Sequence, residues 1–134
     1  MEFLRITNYF TITKGRLKII SRKFSSIQTN LSIMTYYSVL NVTPTSEEWI
    51  PEYIPTASKL VAAHGGKYLS RTVTHEQLEG ADAPAAVRVI IEWPSKEAAT
   101  AFMNDPAYSP FLKMRTNGSN SEHFLLAGQD DMAQ

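Results

Sequence analysis

Residues 87–93 read Val-Arg-Val-Ile-Ile-Glu-Trp, so the most core-like run of the chain carries a guanidinium, Arg88, and a carboxylate, Glu92. Side chains alternate along an extended segment, which places these two charges on one face together with Ile90 and Ala86, and Val87, Val89, Ile91 and Trp93 on the other. If that mixed face is partly desolvated, both charges need partners. Two uses are open. One is an ion-pair network across strands or across a subunit interface. The other is a polar end to an otherwise apolar pocket, able to orient a small anion or enol. Arg71 lies in a second β-rich run, and His64 ends an amphipathic helical pattern that also contains Tyr53. In a catalytic reading Arg88 or Arg71 steadies a developing oxyanion and Glu92 or His64 moves a proton.

Other chemistries leave no trace. His64, His75 and His123 are scattered without metal-ligand spacing, and the chain has no cysteine, which excludes thiolate metal sites, disulfides and cysteine nucleophiles. No nucleophile elbow or dinucleotide-binding glycine pattern is present, and Gly65-Gly66 lacks the spacing of a phosphate-binding loop. The expectation is therefore no cofactor and no metal. Most of Tyr36, Tyr37, Trp49, Tyr53, Tyr68, Trp93 and Phe102 are expected in the core.

The chain has 134 residues, 43% of them hydrophobic, enough for one domain with a real core and an appendage. Its formal net charge of +0 hides an asymmetry. Residues 1–34 hold Arg5, Lys14, Arg16, Lys18, Arg22 and Lys23 against Glu2 alone, so the remainder is acidic. Three readings of this basic, Ser/Thr-rich segment are open: translated sequence upstream of a start at Met34, a mitochondrial-type transit peptide around Arg22-Lys23-Phe24-Ser25, or an arm for nucleic acid or anionic membrane. The expected compartment is the cytoplasm, or the mitochondrion if the segment is a transit peptide. The acidic remainder argues against nucleic acid as its partner, and no apolar run approaches the roughly 20 residues of a membrane span. Without a secretory h-region, the N-x-S/T triplets at Asn30, Asn41 and Asn117 carry no glycosylation reading.

Residues 35–128 supply the elements that must position the charges. Residues 35–43 predict a strand, and Thr45-x-x-Glu48 has capping-box spacing, which predicts a helix from there to His64-Gly65-Gly66. Trp49, Ile50, Tyr53, Ile54, Ala57, Leu60 and Val61 form its apolar face, with Pro51 and Pro55 predicting a kinked or two-piece helix. Strands follow at 67–73 and 86–93, the intervening Thr-His-Glu-Gln-Leu-Glu-Gly-Ala-Asp-Ala-Pro reading as strand extension and turn. Ser95 N-caps a second helix, with Ala98, Ala99, Phe102 and Met103 inward and Asp105-Pro106 at its end. An irregular stretch over 107–120 and a last strand at 122–127 complete the domain, and residues 129–134 form a frayed tail.

The order β-α-β-β-α-β predicts an α+β, ferredoxin-like fold: a four-stranded antiparallel sheet with both helices on one side. Both faces of the strands are substantially apolar, so the uncovered side calls for burial. A homodimer packed sheet to sheet is the expected partner arrangement.

With those residues in place, the sequence resembles the domain of unknown function 1330 family over essentially all of residues 35–128. The matching runs are His-Gly-Gly-Lys-Tyr-Leu-Ser-Arg at 64–71, Glu79-Gly80, and Val-Arg-Val-Ile-Ile-Glu-Trp-Pro-Ser through Asn-Asp-Pro-Ala-Tyr at 87–108. The resemblance implies the fold of dimeric α/β-barrel proteins, a superfamily of small monooxygenases, lactone isomerases and members without assigned chemistry. It marks Arg71, Glu79, Arg88, Glu92 and Tyr108, with Arg115 following, as family-like polar positions. The basic extension, Pro51 and Pro55 depart from the family pattern.

Three functions follow for comparison with the fold. The first is a dimer binding a small organic molecule between sheet and helices, with Arg71, Arg88, Glu92, Tyr53 and Tyr108 as ligand-binding residues. The second is a cofactor-independent enzyme acting on a small oxygenated substrate, with Arg88, Glu92 and His64 as catalytic candidates. The third is a structural dimer whose interior is filled by side chains.

Overall fold

The computed structural model describes residues 34–134, and the expectations for the basic N-terminal segment fall outside the described residues. Four strands, β1 (Tyr36–Pro44), β2 (Lys67–Thr72), β3 (Val87–Trp93) and β4 (Ser119–Ala127), alternate with three helices, α1 (Ile50–Ala63), α2 (Lys96–Met103) and α3 (Ser109–Asn117). The strands form one antiparallel sheet in the order β2-β3-β1-β4. This is the ferredoxin-like β-α-β-β-α-β arrangement, with α3 added before the last strand.

Alternation along the strands divides the sheet into two unlike faces. Ser38, Leu40 and Val42 of β1 register with Ile91, Val89 and Val87 of β3. With Trp93 they meet Ala57 and Val61 of α1 and Ala99 and Phe102 of α2, forming the core. The opposite face carries Tyr37, Val39 and Asn41 of β1, Arg88, Ile90 and Glu92 of β3, and Glu122, Phe124 and Leu126 of β4. A bulge in β2 between Tyr68 and Ser70 puts both Tyr68 and Arg71 on the covered face, opposite Ile91 and Val89.

Several boundaries differ from the sequence expectation. The capping box at Thr45 and Glu48 does not form: α1 starts at Ile50 after Trp49, with no side-chain cap. Instead the amides of Thr45 and Ser46 both donate to the Gly118 carbonyl, at 2.8 and 3.3 Å, and the Trp49 indole donates to the same oxygen at 3.0 Å. The approach to α1 is thus anchored on the α3–β4 junction, while the Ile50 amide donates to the Glu47 carbonyl at 3.2 Å. Pro51 falls in that first turn, where a missing N–H costs nothing. Pro55 lies inside one uninterrupted 14-residue helix, not between two pieces. Both prolines are exposed, so the carbonyl that Pro55 leaves without a donor can be hydrated.

At its other end α1 stops where the glycines require. Gly65 has φ +82°, and a Cβ on Gly66 would come within 2.7 Å of both Trp93 Cζ3 and Val61 Cγ1. Ser95 caps α2 as expected, accepting from the Ala98 amide at 3.0 Å. The expected irregular stretch over 107–120 instead contains α3 and the start of β4. Pro110, which suggests a break, sits in the first turn of α3, and the spacing Tyr108, Phe111, Leu112, Arg115 is helical. The 73–86 segment adds no strand. It is a loop organised by Gln77, whose amide donates to the carbonyls of Glu79 and Ala81 and accepts from the Ala83 N–H.

Candidate functional site

A cavity of about 390 Å³ lies between the covered face of the sheet and the helices. Its body is apolar: Leu40 and Val42 from β1, Val87, Val89 and Ile91 from β3, and Phe102 from α2. Ile54 and Val73, 45% and 72% exposed, join exposed Arg71 at the opening between α1 and β2. Side chains therefore do not wholly fill the space between sheet and helices.

The polar end is made by α1, α3 and β4. Tyr108, at the N-terminus of α3, and Arg115, two turns later, fall on the same side of that helix. Tyr53 of α1 and Tyr108 share a hydrogen bond of 2.6 Å between their hydroxyls. Arg115 donates from Nε to the Tyr53 oxygen at 3.1 Å and from Nη1 to Ser121 Oγ at 2.8 Å. Arg115 is only 4% exposed, and no carboxylate lines the cavity among the described residues. Burial works against its charge, but the contacts with Tyr53 and Tyr108 outweigh it and hold it a cation. Burial first, and then Tyr108, push the Tyr53 phenol well above its usual range, so it is a neutral hydrogen-bonding group. Two phenols sharing one hydrogen bond leave one O–H among the described residues to donate elsewhere.

His123 of β4 lines the same cavity and is bonded at 2.8 Å to Ser38 Oγ, which also accepts from the Trp93 indole at 2.8 Å. Burial, reinforced by Arg115, lowers its pKa to about 4, so the ring is neutral at physiological pH. An unfolded histidine titrates near 6.5. Below that value the unfolded chain takes up a proton that the folded one refuses down to about pH 4. His123 thus contributes stability that is complete above pH 6.5 and lost as pH falls toward 4. After allowance for partial exposure this loss is on the order of 1–2 kcal/mol. Subtracting the urea-unfolding free energy of His123→Gln from that of the wild type should give a difference that is flat from pH 7 to 8 and declines between pH 6.5 and 4.

The sequence-predicted residues fall into three groups. Arg71, Tyr53 and Tyr108 line the cavity. At the opening, Arg71 donates to Ser58 Oγ at 2.9 Å and stacks its guanidinium 3.8 Å from the centre of the Tyr68 ring.

Arg88 and Glu92 do not line it; they occupy the open face of the sheet. Arg88 donates to Asn41 Oδ1 at 2.7 Å, to the Ala83 carbonyl at 3.0 Å and toward His75 Nδ1 at 3.4 Å. It therefore clasps the 73–86 loop to β1, and Glu92 stands opposite Tyr37 and Lys67. The strand pleat therefore directs the pair away from the cavity between sheet and helices, and Arg88 instead lines a polar depression with Asn41, Ala83 and Glu122.

His64 is also outside the cavity lining. It caps α1 and meets Asp105 Oδ2 at 2.8 Å, its ring edge-on to Phe102. The His64 hydrogen bond and the Ala107 amide hold the Asp105 carboxyl below its usual range. Glu79 is exposed in the loop. His123 and Ser121 were not singled out from the sequence, although the alternation of β4 places both on the side of Leu40 and Val42. Arg115 entered only through the resemblance, because its helix was not recognised.

Among the described residues no group of His, Asp or Glu side chains converges to hold a metal ion, and no helix is long and apolar enough to cross a membrane.

The crystal structure of a protein of unknown function from Rhodopseudomonas palustris is similar to this chain, with a TM-score of 0.62 and 19% identity over 81% of this chain and 93% of that one. Its methylated form gives a TM-score of 0.64 and 18% identity over 84% and 93%. The cofactor-independent oxygenase SnoaB from Streptomyces nogalater gives a TM-score of 0.48 and 17% identity over 77% and 99%. No curated protein matches the chain. Residues 35–129 match the family model described as Domain of unknown function (DUF1330), and the chain belongs to that family.

Proposed function

We propose that the protein binds a small organic molecule in the cavity between sheet and helices, and does so as a two-fold dimer whose protomers pack sheet against sheet. The observation that carries the binding reading is an open, largely apolar cavity closed at one end by Tyr53, Tyr108 and Arg115. Its volume of about 390 Å³ falls at the lower end of the range of small-molecule sites. The dimer reading is supported by the open face. There Ile90 and Phe124, 38% and 57% exposed, flank Val39 in one row across three strands, with Leu126 beside it.

A thermal-shift screen of small carboxylates, lactones and phenols on the full chain tests the binding reading. Occupancy at one hundred times Kd stabilises the fold by about 2.7 kcal/mol, so a true ligand should raise Tm by several degrees. Val87→Phe, which adds bulk to the cavity lining, should abolish that shift. A flat response from all three classes would contradict the reading.

Turnover is the second reading, and the same polar end favours it. A guanidinium and phenols able to stabilise an oxyanion lie in one cavity with a neutral imidazole. In that case Arg115, Tyr53 and His123 take the roles first considered for Arg88, Glu92 and His64.

A further inference from the structure

Arg115 gives the proposed ligand a chemical class. A cation taken out of water costs several kcal/mol unless an opposite charge or a full set of acceptors compensates it. At 4% exposure Arg115 has only neutral partners among its described hydrogen bonds, the Tyr53 hydroxyl and the Ser121 hydroxyl. These use two of the five N–H donors of a guanidinium. No carboxylate of the described residues lines the cavity, whereas the exposed Arg71 at the opening adds a second positive charge on the way in. The domain is acidic as a whole, yet the charges lining this cavity are cationic. An apolar residue of similar volume would fill the same place without burying a charge, so the buried guanidinium points to a role beyond packing.

We infer that the ligand is a small apolar monocarboxylate, its carboxylate seated on Arg115 and its hydrocarbon body lying among Leu40, Val89, Ile91 and Phe102. The inference rests on the binding reading above and narrows it. A carboxylate supplies the missing counter-charge, accepts the remaining guanidinium protons in a forked geometry, and takes the phenolic O–H that the Tyr53–Tyr108 pair leaves over. One buried cation matches one negative charge, and an amine is repelled. At roughly 30 Å³ per heavy atom the cavity takes about ten to fifteen non-hydrogen atoms, the size of octanoate or phenylpropionate.

The test is calorimetric titration of the full chain at pH 7.5 with octanoate, octanamide, octan-1-ol and octylamine, and with phenylpropionate and its amide. The inference predicts that each carboxylate binds at least tenfold more tightly than its amide or alcohol, that octylamine does not bind, and that Arg115→Met removes the preference. A charge-assisted hydrogen bond contributes about 1.5–3 kcal/mol, which converts to a loss of roughly ten- to 150-fold for the carboxylates. Because Met leaves no buried charge, the variant should melt no lower than the wild type. The wild-type ligand series needs no variant, so the inference stays testable if Arg115→Met fails to fold. Equal affinity for octanoate and octanamide would overturn the anionic class and leave the pocket standing. No heat from any member up to millimolar concentration would overturn the pocket and the class together.

Discussion

Phe124→Glu should break the proposed dimer into a monomer of 15.0 kDa in light scattering at micromolar concentration, while its melting curve stays cooperative. Phe124 lies on the edge strand β4, 57% exposed, opposite Val39 in the middle of the open face. In a single protomer the change exchanges one solvent-facing side chain for another, which costs little. In a two-fold, sheet-to-sheet dimer the same carboxylate enters the seam twice. A buried charge without a partner costs about 3–5 kcal/mol, so two of them weaken association by on the order of 10⁴-fold or more. A wild type that is already monomeric, or a variant that still scatters as a dimer, would remove the assembly from the account and leave the cavity within each protomer untouched.

Trp93→Ala should destabilise the fold by about 3–5 kcal/mol, lowering Tm by more than 10 °C. Trp93 has no exposed surface, packs its ring 5.3 Å from that of Phe102, and lies against Gly66 at the end of α1. Its indole N–H is also the donor to Ser38, whose oxygen is shared with His123. Trp93→Phe separates the two contributions. It keeps an aromatic ring in the core and removes the donor with the rest of the indole, so a smaller loss of about 1–3 kcal/mol is expected, from the Ser38 hydroxyl left short of a partner and a small cavity. Equal losses in the two variants by urea denaturation would mean that the hydrogen bond, and not the packing, carries the effect.

Much of this was legible in the chain. The alternation in 87–93 separated Val87, Val89, Ile91 and Trp93 from Arg88, Ile90 and Glu92 correctly, and period-two reading of β1 did the same for Leu40 and Asn41. Alternation cannot say which face the helices cover, because that depends on the handedness of the crossovers and not on the strand itself. Arg88 and Glu92 were therefore free to be read as pocket residues until the layers were known. The Thr45 capping box failed for a similar reason: the Gly118 carbonyl, 73 residues away, outcompeted a local signal.

The most consequential omission was α3. Residues 107–120 read as irregular, yet Pro110 and Gly118 sit at the two ends of the helix, where proline and glycine belong. Across the same stretch Tyr108, Phe111, Leu112 and Arg115 keep the helical interval. That interval puts Arg115 on the same helix face as Tyr108, while its contact with Tyr53 is a tertiary one that no local spacing carries. The cavity's polar end depends on this helix, since Tyr108 and Arg115 both come from it and its junction with β4 also anchors the start of α1.

A ligand in the cavity beneath α1 would set its acidic group against Arg115. The most direct measurement is a crystal structure of the full chain grown with octanoate carrying a terminal bromine, with the halogen located by its anomalous signal. The account predicts one bromine site per protomer within contact of the apolar lining, near Tyr68 or Phe102, and carboxylate density within 3.2 Å of the Arg115 guanidinium. Bromine confined to the open face or to lattice contacts, with only water between Tyr53 and Arg115, would contradict it.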